Sequence, residues 1–298
     1  MSIKSLNTFF DIAKQKSKKK IAVAAAEDEQ VLQAVAEAEK SGIVEPILVG
    51  NYSKIKELAS SIGYDVSGVE IIDEINPAAS SKICVKLVRD NKAQILMKGF
   101  VGTADYLRAI LDKDNGLRSG ELLSHISFFE VSAYHKLIAL TDAAQNIAPG
   151  LDEKIAIIQN SVDMFHRLGI ENPKVAILAA VETVNPKMSA TMDAAILTQM
   201  NARKQIKGCI IDGPLAFDLA VSSEAAEHKG IESNVAGDAD LLLTPNIESG
   251  NMLYKSFTYF AGATVAAVIL GALVPVVLTS RADSDRSKLL SIALAAAF

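Results

Sequence analysis

The pentapeptide Thr279-Ser280-Arg281-Ala282-Asp283 follows the apolar run Pro275–Leu278 and sets a hydroxyl, a guanidinium and a carboxylate close together. A serine hydroxyl and backbone N–H groups at the start of a helix favour an anion, and a guanidinium adds a planar fork that matches phosphate oxygens. The same residues can serve structure alone, with Ser280 or Asp283 capping the final helix and Arg281 pairing with a surface carboxylate. On these five residues the two readings balance.

Other predicted strands also end in polar residues. Lys98-Gly99-Phe100-Val101-Gly102-Thr103-Ala104-Asp105-Tyr106-Leu107-Arg108 follows Ile95–Met97, with two glycines that allow close backbone approach and a cation at each end. Asp212-Gly213-Pro214 follows Gly208–Ile211, and Thr244-Pro245-Asn246-Ile247-Glu248-Ser249-Gly250-Asn251 follows Leu241–Leu243. Ligands of open parallel sheets sit beyond the carboxyl ends of the strands, so these loops are expected to converge on one edge. Lys98, Thr103, Arg108, Asn246 and Asn251 are the candidate binding residues. The Lys98–Arg108 loop matches neither GxxxxGK[ST] nor GxGxxG, and Gly-Xaa-Ser-Xaa-Gly is absent. A Walker-type nucleotidase, a standard dinucleotide fold and the usual hydrolase elbow are therefore disfavoured.

The elements that position these loops follow from alternating patterns. Ile21–Ala26, Pro46–Val49, Val69–Ile72 and Ile95–Met97 read as strands, separated by helical stretches Glu29–Ser41, Ser53–Ile62 and Ala78–Asn91. After strand-like Ile126–Val131 and Leu137–Leu140, a second series follows. It runs as helix Asp152–Leu168, strand Val175–Val181, helix Lys187–Lys204, strands Gly208–Ile211 and Leu241–Leu243, a helix through Ser256–Leu270, strand Pro275–Leu278 and helix Arg286–Ala297. Such alternation signals βαβ units, an α/β class and mainly parallel sheets flanked by helices.

Composition excludes several functions. At 298 residues, 50% hydrophobic and 22% charged, the chain has core material for two domains or one large one. A net charge of -5 without a basic stripe leaves no nucleic-acid footprint, and Lys14, Lys16, Lys18, Lys19 and Lys20 read as solvated surface near a helix end. Cys84 and Cys209 lack a CxxC partner, and His125, His135, His166 and His228 lack metal-ligand spacing, so no metal is expected. The N-terminus lacks the pattern of a signal peptide, which makes the cytoplasm the expected location. The uncharged stretch between Lys255 and Arg281 is long enough to span a bilayer, yet Gly262, Gly271 and Pro275 interrupt it. It reads as a buried helix, turn and central strand, with no membrane partner.

The segment Ser233-Asn-Val-Ala-Gly-Asp-Ala-Asp-Leu-Leu-Leu-Thr-Pro-Asn-Ile-Glu-Ser-Gly-Asn-Met-Leu-Tyr-Lys255, followed by Leu278-Thr-Ser-Arg-Ala-Asp-Ser284 and Ser-Ile-Ala-Leu-Ala, closely resembles the phosphate acetyl/butyryltransferase family, and the butyryl branch most. Leu96-Met-Lys-Gly-Phe-Val, Leu107-Arg-Ala-Ile-Leu, Gly116-Leu-Arg, Leu122-Leu-Ser-His-Ile and Gly213-Pro-Leu-Ala-Phe-Asp-Leu-Ala carry the resemblance over roughly residues 80 to 298. The first eighty residues add only a compatible βαβ rhythm.

The resemblance implies two α/β domains with the active site in the cleft between them. The expected division is residues 1–136 plus 273–298 against 137–272. It implies reversible exchange of acyl-CoA and inorganic phosphate for acyl phosphate and CoA, by direct attack in a ternary complex. No cofactor is tightly bound on this reading; coenzyme A is substrate and product, and the protein is a homodimer or higher homo-oligomer. By the same resemblance Ser280 matches the serine that hydrogen-bonds the CoA sulfur, Arg281 the adjacent anion-binding arginine, and Arg108 the arginine of a Thr-Ala-Asp-Xaa-Xaa-Arg motif. The acetyl branch has an aspartate seven positions after the serine, where this chain has Ser287. Asp283 is then either the replacement base or the N-cap of the last helix, with Asp285 a weaker alternative. The rival functions are an acetyltransferase and a non-catalytic metabolite-binding module.

Overall fold

The computed structural model describes residues 2–279 and 283–298. In chain order its elements are α1 (Thr8–Gln15), β1 (Lys19–Ala24), α2 (Glu29–Lys40), β2 (Val44–Gly50), α3 (Tyr52–Ser61), β3 (Glu70–Asp73), α4 (Pro77–Arg89), β4 (Ile95–Lys98), α5 (Thr103–Ile110), β5 (Ser124–Glu130) and β6 (Ile138–Thr141). There follow α6 (Leu151–Arg167), β7 (Lys174–Leu178), α7 (Ser189–Ala202), β8 (Ile210–Leu215), α8 (Phe217–Val221), α9 (Ser223–His228), β9 (Leu241–Leu243), α10 (Ile247–Tyr259), β10 (Thr264–Leu270), β11 (Val276–Val277) and α11 (Asp285–Ala297). The chain divides into two compact units. A mid-chain unit holds Met1–Leu6 with Leu122–Val265, and a split unit holds Asn7–Glu121 with Ala266–Phe298.

In the split unit the strand order is β3-β2-β1-β4-β11-β10, parallel except for the β10–β11 pair. Ile21–Ala24 of β1 and Ile95–Met97 of β4 are apolar without alternation because helices cover both faces of a parallel sheet. Helix starts are fixed locally: the Asp28 carboxylate accepts from the Val31 N–H, and Asn76 caps α4 with Pro77 at its first position. From α4 the buried Ser80 ties two strand ends, its Oγ accepting from the Ala25 N–H at 2.7 Å and donating to the Val49 carbonyl at 3.0 Å. α11 is buried along almost its whole length and packs on α1 and α2. Lys16 closes its far end by donating to the Ala297 carbonyl.

In the mid-chain unit the order is β5-β6-β9-β7-β8, parallel except for β5–β6. Its core stacks Phe129 edge-on to both Tyr254 and Phe257, at 5.2 and 5.1 Å between ring centres.

Two local expectations are corrected. Residues 264–270, expected to lie in a helix through Ser256–Leu270, form strand β10; α10 ends at Tyr259. Gly262 at φ +60° breaks the helix, and Val265, Val268 and Ile269 supply β-branched side chains that Ala266 and Ala267 masked in the sequence. Asp212-Gly213-Pro214, expected to be a loop, is part of β8. A proline is tolerated there because β8 is the outermost strand of the unit's order β5-β6-β9-β7-β8. Among the described residues no helix is long and apolar enough to cross a membrane.

Candidate active site

β4 and β11 lie side by side and parallel, with Leu96 opposite Val276 and Met97 opposite Val277. Their carboxyl ends therefore leave the sheet together, Lys98-Gly99 from one and Leu278-Thr279 from the other. Lys98 is 6% exposed and donates to the Gly99 carbonyl at 3.2 Å; Thr279 is also buried. The close approach expected at Gly99 is made by the protein's own backbone. Gly99 and Phe100 donate to the Ala24 and Ala25 carbonyls at 2.8 and 2.7 Å, and a Cβ on Gly99 would lie 2.2 Å from the Ala25 oxygen. Gly102, by contrast, precedes α5 with room for a side chain: a Cβ there would make an ordinary contact with the Asp105 carboxylate at 3.6 Å.

Thr103 opens α5 and is exposed. Arg108 stands in the last turn of the same helix, in an ion pair with Asp105, and lines a groove of about 700 Å³ with Lys82, Lys86, Arg89 and Asn115. The structure thus places Thr103 and Arg108 at opposite ends of α5.

Ser280 and Arg281 lie outside the described residues. Asp283 is half-buried and its carbonyl accepts from the Lys288 ammonium. Asp283 is not the N-cap of the last helix. Ser284 is: its backbone is extended and its Oγ accepts from the Ser287 N–H at 3.2 Å. Asp285 begins α11 with one carboxylate oxygen, Oδ1, out of solvent and without a hydrogen-bond donor. Ser287 is buried, in hydroxyl contact with Ser284 at 3.2 Å.

Asn246 and Asn251 belong to the mid-chain unit. Asn246 caps α10, its Oδ1 accepting from the Ser249 N–H at 3.0 Å and the Ser249 hydroxyl at 2.7 Å. Asn251 is exposed and donates to the Ala143 carbonyl at 3.3 Å. The residue that organises this strand end, Asp142, was not among the candidates. Its buried carboxylate accepts from the His125, Ala144 and Gln145 N–H groups and from the Asn146 amide, at 2.7 to 3.0 Å. An aspartate bonding amides two and three residues on is a turn signal, but its long-range bond to His125 has no sequence signature. Gly250 packs against the same turn, where a Cβ would lie 2.4 Å from the Asp142 carbonyl.

At the amino ends of β6, β7 and β9 a charge network stands apart from these loops. Lys136 bonds Asp240 at 2.6 Å and Asp238 at 2.9 Å, while Lys174 and His135 also reach Asp238. Burial raises the Asp238 pKa, but the hydrogen bonds from Lys174, Lys136 and His135 outweigh it and hold the carboxyl well below the usual carboxylate range.

The family model for phosphate acetyl/butaryl transferase matches residues 6–84 and 74–296. The chain belongs to the phosphate acetyl/butaryl transferase family. Membership in that family extends through the first eighty residues, where the sequence alone showed little beyond rhythm. A phosphate butyryltransferase of Clostridium acetobutylicum is 51% identical over 294 residues, covering 99% of this chain and 98% of the relative. A phosphate butyryltransferase of Clostridium beijerinckii is 47% identical over 98% of this chain and 97% of its own. The crystal structure of a branched-chain phosphotransacylase from Enterococcus faecalis superposes with a TM-score of 0.81 at 34% identity, covering 93% of this chain and 97% of that one.

Proposed function

We propose that the protein is an acyltransferase that exchanges butanoyl-CoA and inorganic phosphate for butanoyl phosphate and CoA, reversibly. The observation that carries this reading is 51% identity to a phosphate butyryltransferase over nearly the full length of both chains.

The step is a direct attack. A phosphate oxygen adds to the thioester carbonyl, the carbonyl oxygen takes up the negative charge, and the C–S bond breaks to release CoA thiolate. Cations and amides placed for the developing charge are each worth several kcal/mol, about 3–4 for one donor of this kind. On this reading Ser280 donates to the leaving sulfur and Arg281 holds phosphate. Lys98, Thr103, Arg108, Asn246 and Asn251 hold the anionic substrates, and Asp283 takes the proton from the attacking phosphate. Asp285, with its unpartnered buried oxygen, is the second candidate for that base. No covalent acyl-enzyme is needed, and the cysteines do not favour one. Burial pushes the Cys84 thiol up, and the Cys209 thiol up to about 11, far from a thiolate at neutral pH.

The same reading makes coenzyme A a substrate rather than a resident cofactor, places two α/β domains around a cleft that receives both substrates, and makes the protein a cytoplasmic homodimer or higher homo-oligomer. Thiol release from butyryl-CoA, followed with and without inorganic phosphate, tests the reaction. Phosphate-dependent release with acyl phosphate as the product is expected, and release independent of phosphate would overturn direct attack.

A branched acyl chain is the second reading, favoured by the likeness to the branched-chain phosphotransacylase. A methylene or two in an apolar pocket shifts specificity by only about 1–3 kcal/mol. Comparing kcat/KM for acetyl-, butyryl- and isobutyryl-CoA separates the chain lengths and shapes.

A further inference from the structure

Lys288 is 3% exposed, four residues into α11. Two other buried lysines have carboxylate partners: Lys136 meets Asp240 and Lys154 meets Asp193, each at 2.6 Å. Lys288 does not follow that pattern. Its ammonium donates to the Gln30 Oε1 at 2.9 Å and to the Asp283 carbonyl, both neutral oxygens, and it has no ion pair among the described residues. The position is doubly unfavourable for a cation, being out of water and in the first turns of a helix, where the N–H groups make the positive end.

The two acceptors indicate what this charge does. Gln30 lies in the first turn of α2, just past the carboxyl end of β1. Asp283 is the residue at which the connection from β11 enters α11. One ammonium therefore ties Asp283 to the first turn of α2, the helix that follows β1, which pairs with the far side of β4 from β11. We infer that Lys288 is a positioning residue for acyl transfer, fixing the Asp283 carbonyl against α2, with its positive charge left for the anionic substrates to balance. The inference rests on the proposed reaction at Ser280 and Arg281. The residue that replaces the acetyl branch's aspartate, Ser287, directly precedes this lysine.

Lys288→Met keeps the length and apolar character of the stem and removes the charge. A buried ion without a counter-ion contributes little to stability, so the melting temperature of the variant should equal or exceed that of the parent. Its kcat should fall at least roughly tenfold and its KM for phosphate should rise, because misplacement of reacting groups by about an ångström costs up to 10²-fold. Lys288→Arg, which keeps the charge, should recover part of the loss. A folded Lys288→Met enzyme with the parent's kcat and phosphate KM overturns the inference. If Lys288→Met does not fold, Gln30→Leu carries the test from the other side of the clamp: a several-fold loss of kcat at unchanged melting temperature supports the role, and parent-like kinetics overturn it. Failure of the reaction itself is distinguishable, since the unaltered protein would then show no phosphate-dependent thiol release.

Discussion

Arg108 and Asp105 form an ion pair across one turn of α5 in which the arginine side chain remains 74% exposed. An exposed pair of this kind is worth at most about 1 kcal/mol. Its consequence is geometric, since it aims the guanidinium along the groove shared with Lys82, Lys86 and Arg89.

If that guanidinium serves the substrates, Arg108→Gln should lower kcat/KM about 10- to 100-fold and leave the melting temperature within a degree or two of the parent. Asp105→Asn should cost less than about tenfold. Steady-state kinetics against butyryl-CoA and phosphate provide the check. An unchanged kcat/KM for Arg108→Gln would remove this residue from the substrate-binding set.

The base is addressed by three variants. Asp283→Asn should lower kcat by about 10²-fold, the usual scale of general-base catalysis, while Ser287→Ala should have a small effect. Asp285→Asn should fall between them. A larger loss in Asp285→Asn than in Asp283→Asn would move the role to the aspartate whose Oδ1 lacks a partner.

Gly99→Ala places a methyl group 2.2 Å from the Ala25 carbonyl oxygen, and neither backbone has room to move because β1 and β4 are paired at this point. The expected destabilisation is about 3 kcal/mol. Gly102→Ala, with its nearest atom at 3.6 Å, is the control and should be close to neutral. Urea unfolding of the two variants decides the matter; equal stabilities would contradict the packing described.

The Asp238 network sets an acid limit. Its carboxyl has a lowered pKa in the fold, so its contribution is fully present above the unfolded value of about 3.9 and is lost as pH falls toward the folded value. Asp238→Asn should therefore be less stable than the parent at pH 7, with the gap narrowing below about pH 4. Unfolding midpoints measured from pH 7 to pH 3 give the comparison, and a gap that stays constant would show that the charge is not the source.

Much of the split unit could be read in the sequence, because strands buried on both faces are apolar without interruption and their helices carry visible caps at Asp28 and Asn76. β9 was legible at Leu241–Leu243 for the same reason. β10 was not, since an alanine-rich run carries no period that separates strand from helix. Polarity after a strand proved ambiguous as a site signal. Asn246 lies at a strand end as expected, yet its side chain caps α10. Lys288 was invisible for the opposite reason. In Ser287-Lys-Leu-Leu-Ser-Ile-Ala-Leu-Ala a lysine suggests a wet face, whereas α11 is enclosed on nearly all sides. The capping of α11 by Ser284 instead of Asp283 depends on backbone angles that residue type does not specify.

The split unit is assembled from two segments that the mid-chain unit separates: β11 pairs with β4, and α11 packs against α1 and α2. During synthesis residues 7–121 leave the ribosome with the position beside β4 unfilled, and they must wait through the whole mid-chain unit for the strand and helix that complete them. Loss of residues 266–298, from an early stop codon or a protease, would therefore leave one unit with a missing interior element while the other is already made. Ser280, Arg281 and Asp283, proposed to perform the chemistry, follow the mid-chain unit in the chain, so a nascent chain cannot turn over substrate before that unit has been made.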